Sequence, residues 1–476
     1  MASHQNSPEH SKGVVESIVV LALTVIVSLL FWPVILDIWR YSFDDGTYSH
    51  AFLIPFVALY VLYDIREQLQ FRSKPNGFTL ILVFLLMVEL CLYLGQISLP
   101  VRALLPLVLL SALLSIFVSH KGLYLYALVF LFITPIWGLL SPPLQQLSTT
   151  AVETIMAFTG IPSYFEGNIV SIPSGQFEIA NGCSGLRYFI TSLFLCLLFV
   201  YFNLRSARRI LLFFIITMAG ALLVNWIRII TIIFIGHLTN MQSSIVGDHN
   251  NLGWYVYAPY LLMIFYVGNS LAKKEANTTE HHRLSSKKNI ALKPIFASLF
   301  ALILLSPLSL DLPVFDAETL NSSNRVRASD THGPLQISRY SELRYQLIEQ
   351  NDHQLSLWYF TFSGYGLDNK ASYFNNSIIP DGMRIETKKR DAQTHSIYFL
   401  AKNNQPAVLV YAYLSARGLT SSLKQQKQNH LLAALSGHRE SAILVGSSLC
   451  NATDCRDTLG TLQQMLSQQA STQYRD

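Results

Sequence analysis

The chain has 476 residues, of which 51% are hydrophobic and only 13% are charged. Soluble globular proteins average about 25% charged residues, so a purely water-soluble protein is excluded, and a disordered one is excluded by the same balance. The formal net charge of +5, from 34 Lys+Arg against 29 Asp+Glu, is too mild to imply a nucleic-acid partner. Five cysteines are too few for a disulfide scaffold.

A bilayer span needs about 20 predominantly apolar residues. Eight such runs precede residue 275, at 14–37, 50–64, 78–96, 98–118, 123–140, 185–203, 210–236 and 253–271, and a ninth covers 291–310. The polar start, 1–13, and the length of the first run argue against a cleaved leader. Basic residues mark the cytoplasmic side. They follow the second span (Arg66, Arg72, Lys74), the fourth (Lys121), the sixth (Arg205, Arg208, Arg209) and the eighth (Lys273, Lys274). Segments 141–183 and 237–252 carry no Lys or Arg. Nine spans with this alternation place the amino terminus in the cytoplasm and the carboxyl terminus outside.

The expected fold is an α-helical multispanning membrane protein of about eight core spans, one anchoring span and an extracytoplasmic α+β soluble domain. The boundaries read as a transmembrane domain 1–275, a basic linker 276–290, the ninth span 291–310 and a soluble domain 311–476. Ser396–Ala401 and Ala407–Leu414 alternate like strands, whereas 418–435 reads as helical. In the outer loop, 144–159 has apolar residues at helical spacing, which fits either a helix lying in the interface or an ordinary packed helix. Pro162, Gly167, Pro173 and Gly175 then punctuate a short strand-like region.

Cys183 stands between Gly182 and Gly185 just before the sixth span. The glycines permit a tight turn into a helix start, where the backbone favours a thiolate and its N–H groups are candidates for an oxyanion site. Against this stands a buried Cys acting as a small apolar residue. Asn225 and Arg228 lie three apart inside the seventh span, on one helix face. A charge at membrane depth marks a functional site unless it has a specific partner, and Glu89 is the carboxylate the neighbouring spans offer. Counted from the end of its apolar run, Arg228 lies about 13 Å down. His249 precedes the eighth span on the same side as Cys183 and is suited to accept a thiol proton. His50, at the start of the second span, either bonds a catalytic partner or caps a helix. Arg187, one turn past Cys183, favours a thiolate, binds a carboxylate, or pairs with Glu178 or a lipid phosphate.

Cys91 and Cys196 lie in apolar runs and read as packing. Cys450 and Cys455, spaced C-x4-C in the outer domain, read as a local disulfide, with zinc binding alongside His430 and His438 as the alternative. No glycine-rich nucleotide loop, HExxH or GxSxG motif is present, so neither a metal nor a cofactor is expected.

Cys183-Ser-Gly-Leu-Arg187, Asn225-x-x-Arg228, His249 with Gly253-Trp254, and Tyr48-Ser-His50 with Phe52-Leu-Ile-Pro55 occur in this order. In them residues 15–272 resemble the exosortases, multispanning bacterial enzymes with sortase-like chemistry on another fold. Two departures are small for small: Gly182 where the family usually shows Ala, and Ala51 where it usually shows Gly. The resemblance implies a cysteine protease or transpeptidase of the bacterial inner membrane. Its substrates would be membrane-anchored proteins with a carboxyl-terminal sorting tag of the PEP-CTERM type. It implies Cys183, Arg228 and His249 as the catalytic set, with His50, Ser184, Arg187 and Asn225 in support. The part from 290 onward resembles, on its position, its anchoring span and Leu409-Val-Tyr-Ala-Tyr413, a domain associated with exopolysaccharide systems, which makes that machinery a candidate partner. Two rivals stand beside this reading. One is a non-catalytic scaffold or transporter of exopolysaccharide export; the other is an acyltransferase using Asp248-His249.

Overall fold

The computed structural model describes residues 13–273 apart from 45–46, 75 and 245–249, then 292–306. It also describes 337–473 apart from 338–339, 351–352, 365, 372–375, 377, 379–383, 392, 401–405 and 451–454. His249, the linker 276–290 and the segment 311–336 lie outside the described residues.

Apolar runs become helices, but not always straight ones. The first run is two helices, α1 (Val14–Leu30) and α2 (Trp32–Asp44), bent by 84°. Pro33 explains the break of what reads as one span, because proline lacks an N–H and its ring crowds the preceding turn. Next come α3 (Ile54–Ile65), entered through a 3-10 turn at Ser49–Leu53, then α4 (Gly77–Leu94) and α5 (Ser98–Ile116). The fifth run starts as α6 (Lys121–Leu128), loosens through 3-10 turns up to Leu140, and continues past a 60° bend as α7 (Ser141–Met156). After it stand α8 (Leu186–Asn203), α9 (Ala207–Leu238), α10 (Asn250–Lys273) and α11 (Leu292–Leu304). Among the described residues, five helices are long and apolar enough to cross a membrane, or up to seven if each bent pair is one span. The nine runs of the sequence are those seven together with α10 and α11. With 13 residues, α11 is about 20 Å long, short of a hydrocarbon core of about 30 Å.

The chain divides into two compact units. The first takes Met1–Ala22, Ile38–Pro75 and Leu105–Pro294. Here α8, α9 and α10 pack through Tyr188, Phe199, Phe213, Tyr257 and Tyr260. Gly220 lies under the Tyr260 ring and Gly268 under Phe199, so small residues set the close approach of these helices. The outer loop folds as a three-stranded antiparallel sheet of β1 (Tyr164–Glu166), β2 (Ile169–Ile172) and β3 (Gly175–Glu178). It sheathes the end of α9: Phe177 covers Gly236, and Ser174 Oγ meets His237 Nδ1 at 3.1 Å. Cys196 is buried. Cys91, which reads as packing, instead lies exposed on α4, because a helix apolar all round does not reveal from sequence which face it buries.

The second unit takes Leu23–Asp37, Asn76–Leu104 and Ile295–Asp476. Its seven strands are β4 (Glu342–Gln350), β5 (His353–Phe362), β6 (Arg384–Arg390), β7 (His395–Leu400), β8 (Pro406–Ser415), β9 (Gly418–Thr420) and β10 (Ser441–Leu449). The antiparallel order is β4-β5-β10-β8-β7-β6, with β9 beside β8. Along β5, Trp358, Phe360 and Phe362 face one core while Leu355, Leu357 and Tyr359 face the other, the period-2 consequence of the pleat. The helix α12 (Leu423–Leu435) joins β9 to β10, and α13 (Arg456–Gln473) covers the second face through Leu462 and Leu466. A disulfide between Cys450 and Cys455 closes the step from β10 to α13.

This unit binds the sheet to the helix ends through buried charge. Arg102 Nε donates to Asp37 Oδ2 at 2.6 Å, and Arg102 Nη2 donates to both Asp368 oxygens at 3.1 and 3.2 Å. Lys370 Nζ donates to Gln96 O at 2.5 Å and to Ser98 Oγ at 2.6 Å. Gln96 Nε2 donates in turn to the carbonyls of Gly366 and Asn369. Removing one partner of such a network strands the others in an apolar setting. Arg102→Met should therefore lower stability by about 3–5 kcal/mol, read as a fall in the unfolding midpoint of the full chain in detergent. A change below about 1 kcal/mol would show the network to be idle.

His430 on α12 is buried with neither ring nitrogen hydrogen-bonded. Burial, with Lys370 and Arg439 adding repulsion, lowers its pKa from 6.5 to about 4. Between those values the unfolded chain binds the proton and the folded one does not. Stability should be indifferent to this group above pH 6.5 and fall as pH drops from 6.5 towards 4, by about 3 kcal/mol in all. His430→Leu should flatten that slope in thermal melts followed by the antiparallel amide I band.

Candidate active site

The turn before α8 is fixed by its own backbone. Asn181–Cys183 form a 3-10 turn, and the Cys183 N–H donates to Ala180 O at 2.8 Å. This N–H is therefore engaged within the turn itself. Gly185 caps α8 with φ +85°, a left-handed conformation that glycine adopts without strain. A Cβ there would also stand 2.8 Å from Asn225 Cγ. Gly182, by contrast, has open space where a Cβ would stand, so an alanine fits and the departure from the family pattern is harmless.

Asn225 joins this turn to α9. Its Nδ2 donates to Cys183 O at 2.9 Å and to Ser148 Oγ at 3.1 Å. That pairing fixes the amide orientation, since a carbonyl only accepts, and it leaves Asn225 Oδ1 buried without a partner. The buried stripe of α9 runs through Thr217, Ala221, Val224, Asn225, Arg228 and Ile232, which puts Arg228 one turn beyond Asn225 on the same face. Cys183 itself packs with Ile229 and Ile233 of α9, Val152 of α7 and Ile179.

Arg228 is 4% exposed, and Glu89, the carboxylate the spans offered it, has neither oxygen hydrogen-bonded. Gly253 on α10 comes so close that a Cβ there would lie 3.3 Å from Arg228 Nε and collide with the Tyr188 hydroxyl. That hydroxyl is within electrostatic reach of Arg228, Arg187 and Cys183. The start of α10 is thus held against Arg228. With 32 residues, α9 is about 48 Å long, longer than the hydrocarbon core. From Arg208, at its basic end, an upright helix reaches Arg228 after about 30 Å. Beyond Arg228 the last turns of α9 meet the three-stranded sheet at Gly236 and His237.

The other supporting candidates divide. Ser184 is buried, accepts the Leu186 N–H at 3.4 Å and meets Ser141 Oγ at 3.3 Å. Arg187 is half-buried, and no hydrogen bond or ion pair among the described residues engages its side chain, so it is not paired with Glu178. His50 Nε2 meets Phe132 O at 3.0 Å, and its ring lies 6.0 Å from that of Phe194, well along α8. Its described partners do not include Cys183. Sequence reasoning missed Gln145, Ser148 and Tyr188. The first two form, with Ser141, a polar stripe at helical spacing on α7.

The apolar helices define a multi-pass membrane protein, in which Asn225 ties the buried Cys183 turn to α9 one turn from the buried Arg228. Residues 39–266 match the model of the transmembrane exosortase family (Exosortase_EpsH), and this segment is similar to that family. The match points to a membrane transpeptidase acting in protein sorting. The matched segment takes in Cys183, Arg228 and His249 and stops short of the seven-stranded sheet. No curated protein and no solved structure matches the chain.

Gly185→Ala should be the most damaging single-carbon change here. It strains the φ +85° cap and pushes on Asn225, at a cost of about 1–3 kcal/mol in the turn. Gly182→Ala should be neutral. Electrophile labelling of Cys183 in the two variants separates them.

Proposed function

We propose that the protein is a membrane cysteine protease or transpeptidase that removes the carboxyl-terminal sorting signal, of the PEP-CTERM type, from exported proteins. The observation that carries this reading is the bond from Asn225 to the Cys183 carbonyl, with Arg228 one turn on in α9 and Gly253 of α10 against Arg228.

On this reading His249 takes the Cys183 thiol proton, and the sulfur attacks the carbonyl carbon at the junction of tag and protein. The C–N bond breaks, the leaving amine takes the proton back from His249, and a thioester remains. Water or an acceptor amine then displaces the thiol. With the Cys183 N–H already engaged, stabilising the oxyanion falls to the Arg228 guanidinium. The substrate's own membrane helix confines it to the bilayer plane, which raises its effective concentration.

The bonds from Gln96, Ser98 and Arg102 to Gly366, Asp368, Asn369 and Lys370 hold the sheet on the side of the α4–α5 turn. In the positive-inside reading that side is extracytoplasmic, which supports an inner-membrane protein with its amino terminus in the cytoplasm and its sheet outside. The sheet is our candidate contact with exopolysaccharide machinery.

Cys183→Ala should leave a tagged substrate uncut in membranes while the enzyme remains inserted, scored by the gel shift of the tag. Normal trimming would remove the nucleophile assignment. Arg228→Lys keeps the charge but loses the fork and should slow cleavage about 10²-fold or more.

A further inference from the structure

One face of α7 grips the cysteine turn at three points. Ser141, Gln145 and Ser148 recur at helical spacing on that face. Gln145 Nε2 donates to Ile179 O at 2.6 Å, before the turn. Ser141 Oγ meets Ser184 Oγ at 3.3 Å, and Ser148 Oγ donates to Ser184 O at 3.4 Å, after it. Ser148 also accepts from Asn225, so one buried hydroxyl links α7, α9 and the turn. Below these polar residues, Val152 and Met156 of the same helix pack in the cluster that includes Cys183.

We infer that α7 is a splint for the nucleophile, and that Ser148 and Gln145 are positioning residues for the cleavage proposed above, on which this inference rests. The Cys183 N–H is held by Ala180 and its C=O by Asn225. With the peptide groups on both sides of Cys183 fixed, its Cα–Cβ bond has one direction, and the sulfur keeps only its χ1 rotation. Each clamp removed restores backbone freedom to the turn. A reacting atom displaced by about 1 Å costs up to about 10²-fold in rate. Binding of the substrate, which rests on its membrane helix, is left alone. The splint therefore acts on kcat and not on KM.

The test is Ser148→Ala and Gln145→Met in the full chain, beside Cys183→Ala and wild type, in vesicles with a tagged membrane-anchored substrate. Gln145→Met keeps length and volume but has no donor; Ser148→Ala removes only the hydroxyl. Each should lower kcat about tenfold with KM unchanged, and alter the rate at which an externally added electrophile alkylates the buried Cys183. A Gln145→Asn variant, with the amide withdrawn by one carbon, should fall with Gln145→Met, not with wild type. Unfolding midpoints in detergent show whether a variant is folded. Folded variants with wild-type kcat and alkylation would overturn the splint. A fall in stability alone, with kcat per folded molecule unchanged, overturns it equally. Cleavage persisting in Cys183→Ala would instead overturn the reaction itself, so the two failures are told apart.

Discussion

The hydrogen bond from the Asn225 amide to the Cys183 carbonyl is what the candidate site depends on. Both residues are buried, and Cys183 packs among aliphatic side chains, where an unmade hydrogen bond is costly. The cysteine turn therefore has one low-energy seat on α9. That seat fixes where the thiol lies relative to Arg228, since the two α9 residues are a single turn apart. It also explains Gly185: the amide lies where any side chain on the cap would be.

The same logic operates in the second unit at higher charge. Asp37, Arg102, Asp368 and Lys370 are all buried, and each is a liability unless the others stay in place. A buried network of this kind specifies one arrangement rather than adding much net stability. Its effect is that the seven-stranded sheet shares a compact unit with α4 and the start of α5, although hundreds of residues separate them in sequence.

The candidate residues stand out in the sequence because they violate the composition around them. A cysteine between glycines and an arginine inside an apolar run are conspicuous, and the exosortase motifs tie them together. Ser148 and Gln145 were not read because serine and glutamine on an amphipathic helix look like its wet face; only the fold turns that face inward. Asp37 and Arg102 carried a usable signal, charge within predicted spans, but nothing local paired them with Asp368. The strands β7 and β8 and the helix α12 announce themselves by period. The break at Pro33 was visible as a residue type, and its 84° consequence was not. Where each span ends is decided by what wraps the helix, and hydropathy alone cannot distinguish a covering sheet from lipid.

The stretch of α9 from its basic pair, Arg208 and Arg209, to Arg228 has a further meaning on the proposed reading. It is about as long as one bilayer-crossing segment, so the enzyme carries an internal ruler. A client's tail with positive charges at one end and a similar number of apolar residues would bring its scissile junction level with the sulfur. Selection would then be by span rather than spelling, and clients with unrelated tail sequences would qualify provided their lengths agree.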